Sequence, residues 1–149
     1  LSDHFTIKEL TQSDTAVRLS IDNTPTDQIL KNLQLVTEKI LEPVRIYFDK
    51  PVKVTSGYRS PALCQAIGSK TTSQHTLGQA VDFEVIGIPN QVVSEWIVNN
   101  LEYDQCILEF WNPNQYNAGW IHCSYSALLN RKMYLKAYTS NGRTVYEVI

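Results

Sequence analysis

Apolar positions recur at helical spacing through the first third of the chain. Thr6-Ile7-Lys8-Glu9 has the spacing of a capping box, and Leu10 continues the apolar face of the short helix it opens. After a turn-rich stretch from Asp22 to Pro25, Thr26 is placed to cap a long amphipathic helix. Ile29, Leu30, Leu33, Val36, Ile40, Leu41, Val44 and Tyr47 form its stripe, up to Phe48. Pro43 has no backbone N–H to donate, so this helix must kink or restart there.

The period then shortens. Val52-Lys53-Val54-Thr55 predicts a strand, and Ser60-Pro61 the cap and first position of another helix. Thr71 to Gly78 is polar and irregular. From Ala80 to Val85 the chain alternates, with Val81, Phe83 and Val85 pointing one way and Ala80, Asp82 and Glu84 the other. This predicts a strand with one core face and one face carrying acids. Asn90 is placed to cap a helix bearing Val92, Val93, Trp96, Ile97 and Leu101. Gln105–Phe110 and Gly119–Ser124 predict paired strands around the loop Trp111–Ala118. Met133–Tyr138 and Thr144–Val148, joined at Asn141-Gly142, predict a closing hairpin. Helices early and antiparallel hairpins late predict an α+β fold, with helices packed on one face of a mostly antiparallel sheet. At 149 residues, without repeat or linker, the chain is expected to form a single domain over 1–149.

Composition narrows the function classes. Hydrophobic residues at 43% and charged residues at 19% exclude a disordered chain. Thirteen Lys+Arg against fifteen Asp+Glu give a net charge of −2, which argues against a nucleic-acid partner. The longest stretch free of Asp, Glu, Lys and Arg, Phe110 to Asn130, holds four asparagines, a glutamine and a proline, so no membrane span is expected. The opening residues lack a signal-peptide pattern, and since the chain begins at Leu1 rather than Met the compartment is left open. Cys64, Cys106 and Cys123 are widely spaced without a CxxC pair, which points to small buried side chains rather than a disulfide framework or a thiolate zinc site.

Metal or nucleophile chemistry must therefore draw on three histidines. His4 lies ahead of the first helix, a poor place for a ligand. His75 is followed seven positions later by Asp82, and His122 sits on a late strand. Two imidazoles and a carboxylate are a standard set for catalytic zinc, which makes bound water acidic near neutral pH and polarises a carbonyl. On its strand His122 shares a face with Trp120 and Ser124, so the adjacent Cys123 points away and is no co-ligand. From spacing alone, two histidines and an aspartate spread over this length are more often hydrogen-bonded structural residues than ligands.

Three blocks change the balance. Ser56-Gly57-Tyr58-Arg59-Ser60, then Ser73-Gln74-His75-Thr76-Leu77-Gly78-Gln79-Ala80-Val81-Asp82, then Trp120-Ile121-His122-Cys123-Ser124 resemble the signature of the M15 zinc peptidases. These are the D-Ala-D-Ala carboxypeptidases and L-alanyl-D-glutamate endopeptidases of bacteria and phages. The opening Phe5-Thr6-Ile7-Lys8-Glu9-Leu10 and Ile21-Asp22-Asn23 resemble a compact, phage-associated branch. The resemblance implies the hedgehog/D-Ala-D-Ala peptidase-like fold. It implies His75, Asp82 and His122 as zinc ligands, Arg59 beside the metal to meet an oxyanion or a substrate carboxylate, and Ser73 as a substrate hydrogen-bonding residue. The implied partners are peptidoglycan peptide stems or cross-bridges, met by a monomer at the cell wall, whether as a phage lysis or virion protein or as an exported bacterial enzyme.

The general base departs from the pattern. Many relatives place a Glu three residues before the last histidine, where this chain has Gly119. Glu109 replaces it if its strand pairs in the right register with that of His122; Glu84, two residues beyond Asp82 on the same strand face, is the rival. Cys64 and Ile67-Gly68 also depart from the family's usual residues. The missing ExxH leaves a second reading, a zinc-stabilised wall-binding module without catalysis, as hedgehog signalling domains show for this fold. A third is a metal-free scaffold.

Overall fold

The amphipathic stripe of residues 27–48 folds as one helical rod with a fault in its middle. The computed structural model describes residues 1–115 and 117–149. Helices α3 (Asp27–Val36) and α4 (Glu42–Phe48) are joined by a π-type turn over Thr37–Leu41. There the Glu42 N–H reaches the Thr37 carbonyl, five residues back. Pro43 thus falls in the first turn of α4, where a missing donor costs least. The widened turn keeps Leu33, Val36, Ile40, Leu41 and Val44 on the buried side of both halves.

Two short helices precede the rod. Helix α1 (Ile7–Thr11) has the full capping box between Thr6 and Glu9, and α2 (Asp14–Arg18), which the apolar pattern does not announce, is capped by Ser13. Helix α5 (Pro61–Ala66) is capped by Ser60 as expected. Two expectations need correction. The segment Thr71–Gly78 is not wholly irregular, because a 3₁₀ turn forms over Gln74–Leu77 under a Ser73 cap. In α6 (Asn90–Asn100) the cap position belongs to Pro89, and Asn90 instead donates its side-chain amide to the Ala118 carbonyl.

Among the described residues, six strands form a sheet in the order β1-β2-β4-β3-β5-β6: β1 Val52–Ser56, β2 Ala80–Val85, β3 Gln105–Glu109, β4 Trp120–Ser124, β5 Met133–Ser140 and β6 Arg143–Val148. All neighbours are antiparallel except β3 and β5. The fold is therefore α+β with a mostly antiparallel sheet, as the order of elements predicts. Of the loop Trp111–Ala118, residue 116 lies outside the described residues. The closing turn places Asn141 and Gly142 both at positive φ, the conformation a tight hairpin requires.

Alternation divides the sheet into two faces. Val54, Val81, Phe83, Val85, Cys106, Ile121 and Cys123 join Leu10, Leu33, Val36, Ile40, Val93 and Ile97 in the main core, beneath the helices. All three cysteines are free and buried, with Cys106 directly opposite Cys123 on neighbouring strands. On the opposite face Ile107, Leu135, Ala137 and Met133 make a small apolar cluster. The same face carries Asp82, His122 and Glu109.

Candidate metal centre and active site

Register brings the polar residues together. Asp82 on β2 pairs with His122 on β4, so their side chains stand side by side on one face. Ile107 on β3 pairs with His122, and Glu109 pairs with Trp120. Glu109 therefore lies diagonally from His122 on the shared face, rather than directly beside it. His75 arrives from the 3₁₀ turn and packs its ring edge-on to His122, with centroids 5.1 Å apart. Ligating atoms of His75, Asp82 and His122 all lie within 4.8 Å of one another. Asp82 Oδ1 is 3.2 Å from His75 Nε2 and 3.0 Å from His122 Nδ1.

The turn before α5 holds this group in place. His75 Nδ1 donates to the Gly57 carbonyl at 2.7 Å, and the Arg59 N–H donates to the His75 carbonyl. A Cβ at residue 57 would sit 2.2 Å from the Leu10 carbonyl oxygen, so glycine is the residue that admits this approach of two backbones. Asn23, whose role no pattern in the sequence announces, knits the turn to α1. Its amide donates to the Thr11 and Tyr58 carbonyls, and its oxygen accepts from the Ser60 N–H.

Arg59 lies against the group, as expected, but most of its fork is committed to protein. Nη2 donates to Asp82 Oδ2 at 2.9 Å, Nε to Ser56 Oγ at 2.8 Å, and Nη1 to Ser69 Oγ at 3.3 Å. A guanidinium has five N–H donors, so two are left. Ser73 accepts from the His75 N–H, and among the described residues its hydroxyl proton has no acceptor. Glu84 faces Lys53 in the register of β1 and β2. His4 pairs with Glu42 at 2.8 Å, well apart in the chain from the other two histidines.

The electrostatics of the triangle call for a cation. The Gly57 oxygen can only accept, so His75 Nδ1 carries the proton, and in the neutral ring Nε2 turns a lone pair toward Asp82. Burial pushes the Asp82 carboxyl up, yet the imidazoles of His75 and His122 beside it hold it well below the ordinary carboxylate range, an effect that at His75 requires the ring to be charged. Burial pushes His75 down, against carrying that charge. A carboxylate that needs a cation beside it thus faces an imidazole that resists becoming one. A metal ion held by these residues would satisfy both, and imidazole nitrogen and carboxylate oxygen are each accepted metal donors.

Glu109 completes the face. Its carboxyl is largely buried, and burial pushes its pKa up. His122 and Arg59 oppose that rise and Asp82 adds to it, so the group senses the charges of two members of the centre and of Arg59. At residue 119, φ is +70° and a Cβ would fall 1.8 Å from the Glu109 carbonyl oxygen. No side chain of any kind fits there. The carboxylate that many relatives carry three residues before the last histidine is excluded from that position by the backbone, and the strand alongside supplies one instead.

A family model described as Peptidase M15 matches residues 3–124. The chain belongs to the M15 peptidase family. No curated protein matches it. M15 membership makes the chain a metallopeptidase by family, acting on a peptide, and the His75–Asp82–His122 group is the place where its metal can be held. Among the described residues no helix is long and apolar enough to cross a membrane. The matched residues end with β4, so the family says nothing of the β5–β6 hairpin.

Proposed function

We propose that the chain is a monomeric, single-domain zinc peptidase that hydrolyses peptide bonds in the stems or cross-bridges of bacterial peptidoglycan. His75, Asp82 and His122 are its zinc ligands. The supporting observation is the shared Asp82 oxygen, 3.2 and 3.0 Å from two imidazole nitrogens, with the His75 tautomer set by Gly57. These separations approach the edge of about 3.4 Å expected for a zinc tetrahedron with bonds of about 2.1 Å. When bound, zinc supplies Lewis acidity, making water a competent nucleophile near neutral pH and polarising the scissile carbonyl.

The chain's own residues supply the rest. Glu109 takes the proton from the attacking water and delivers it to the leaving amine, and its raised pKa suits a group that must hold a proton between those events. Glu84, the rival, has Lys53 on β1 as its cross-strand partner. Arg59 holds Asp82 in its ionised, oriented form through Oδ2, and its two remaining N–H groups are the donors for an oxyanion or a substrate carboxylate. Ser73 offers its hydroxyl proton to the substrate.

Mass spectrometry of muropeptides digested by the zinc-loaded protein tests the reading and names the bond. Cleavage by wild type and none by His122→Ala, together with loss of stoichiometric zinc, is the expected result. Retained cleavage by the variant would sink the mechanism. Binding to purified wall without any released product would favour the wall-binding module, the reading that the replacement of the ExxH glutamate by Gly119 keeps alive.

A further inference from the structure

The sheet extends past Glu109 in a straight cross-strand row. Trp120, Glu109, Ala137 and Tyr146 are successive partners across β4, β3, β5 and β6, and therefore share the face of Asp82 and His122. Two strand spacings put the Cα of Tyr146 about 10 Å from that of Glu109. Between them stands Ala137, whose single methyl leaves the way open for a tyrosine side chain to lean over it. Ala137 is buried together with Ile107 and Leu135, which gives this part of the face an apolar base.

The register of the hairpin is secured from the other face. Lys136 pairs with Glu147 in the ladder and by charge, and the Tyr138 hydroxyl donates to Glu147 at 2.9 Å. A slip of one residue would turn Tyr146 away and break both contacts. The hairpin as a whole is anchored by Arg131, which donates three hydrogen bonds to the buried Asp104 just before β3. The hydroxyls of Tyr103, Tyr134 and Tyr138 are all engaged by protein. That of Tyr146 makes no such bond among the described residues, and the side chain is 57% exposed. Burial first, then the charges of Glu109 and Asp82, push its phenol up, so it shares their surroundings.

We propose that Tyr146 is a substrate-contacting residue of the peptidase, its hydroxyl donating to a carbonyl of the bound peptide and its half-exposed ring packing against that peptide. This rests on the peptidase reading. Sequence patterning misses it, because Thr144–Val148 reads only as the last strand of a hairpin, and neither the family match nor the three signature blocks reach it.

The test measures both turnover and direct calorimetric binding of a synthetic stem pentapeptide ending in D-Ala-D-Ala. Wild type, Tyr146→Ala, Tyr146→Phe and Val145→Ala are compared, the last being on the same strand but the opposite face. Tyr146→Ala should raise KM by about tenfold, with kcat changed less, and Tyr146→Phe should give about threefold. Val145→Ala should match wild type in KM and affinity. A wild-type KM for Tyr146→Ala, or an equal rise for Val145→Ala, overturns the proposal. If wild type cleaves neither this peptide nor cross-linked muropeptides, the peptidase reading falls and affinity alone decides: a tenfold loss on Tyr146→Ala supports the contact, and unchanged or absent binding overturns it.

Discussion

On the helix side of β2, β4 and β3 stand Val81, Phe83, Ile121, Cys123 and Cys106, all fully buried; on the other side, one residue along in β2 and β4 and three along in β3, stand Asp82, His122 and Glu109. The two faces share a backbone and are bound to opposite physics. The apolar face stabilises by area removed from water, which depends little on pH or on ions. The polar face buries a carboxylate held ionised by its neighbours and an imidazole that burial discourages from charging, at a cost that Arg59 offsets in part and a cation between them would relieve further. Stability and chemistry are thus separated by a single residue step, and the fold can carry a costly site because the opposite face carries the core.

Substitutions on the two faces should separate accordingly. Glu109→Gln should keep the fold and the metal while lowering kcat by about 10²–10⁴-fold, measured on muropeptide cleavage. Full activity would hand the proton transfer to Glu84 and break the assignment of the polar face. Phe83→Ala, across the sheet, should cost about 3–5 kcal/mol in denaturant unfolding. Its folded fraction should still bind stoichiometric zinc; loss of zinc at unchanged stability would show that the two faces are not separable.

The smallest effect concerns the hairpin anchor. Hydrogen bonds from Arg131 hold the Asp104 carboxyl below its usual range, burial opposing them. A folded-state pKa below the unfolded value means that this stabilisation is complete above the unfolded pKa of about 3.9 and is lost as pH falls through the folded value. Arg131 is half exposed, so the pair is worth about 1 kcal/mol after solvent screening. Arg131→Met should therefore lose about that much at neutral pH, and its stability should fall less steeply below pH 4 than that of wild type. An unchanged acid limb would show that Asp104 does not anchor β5 through its charge.

Local chemistry made much of this legible in advance. The Thr6–Glu9 box, the Ser60 cap, the Asn141-Gly142 turn and the restart at Pro43 involve residues a few positions apart, and each was readable because its partners are neighbours in the chain. The 3₁₀ turn under His75 was hidden because its polar residues carry no apolar period, and the Asn90 cap failed because a contact with Ala118, distant in sequence, drew the side chain away. The parallel pairing of β3 with β5 was likewise invisible, since no local signal names a non-adjacent partner.

The sequence by itself determined which residues could serve: a scarce set of histidines, one aspartate at alternating strand phase, and three blocks resembling the M15 peptidases. It also required that Cys123 turn away from His122, because strand alternation is a property of the backbone. Only the tertiary structure decided that Glu109 shares the face of His122, that the backbone at Gly119 admits no side chain, and that Tyr146 joins the same row. Register across strands and the approach of separate backbones are set by long-range packing, and a one-residue change in either would have put the same residues on opposite faces.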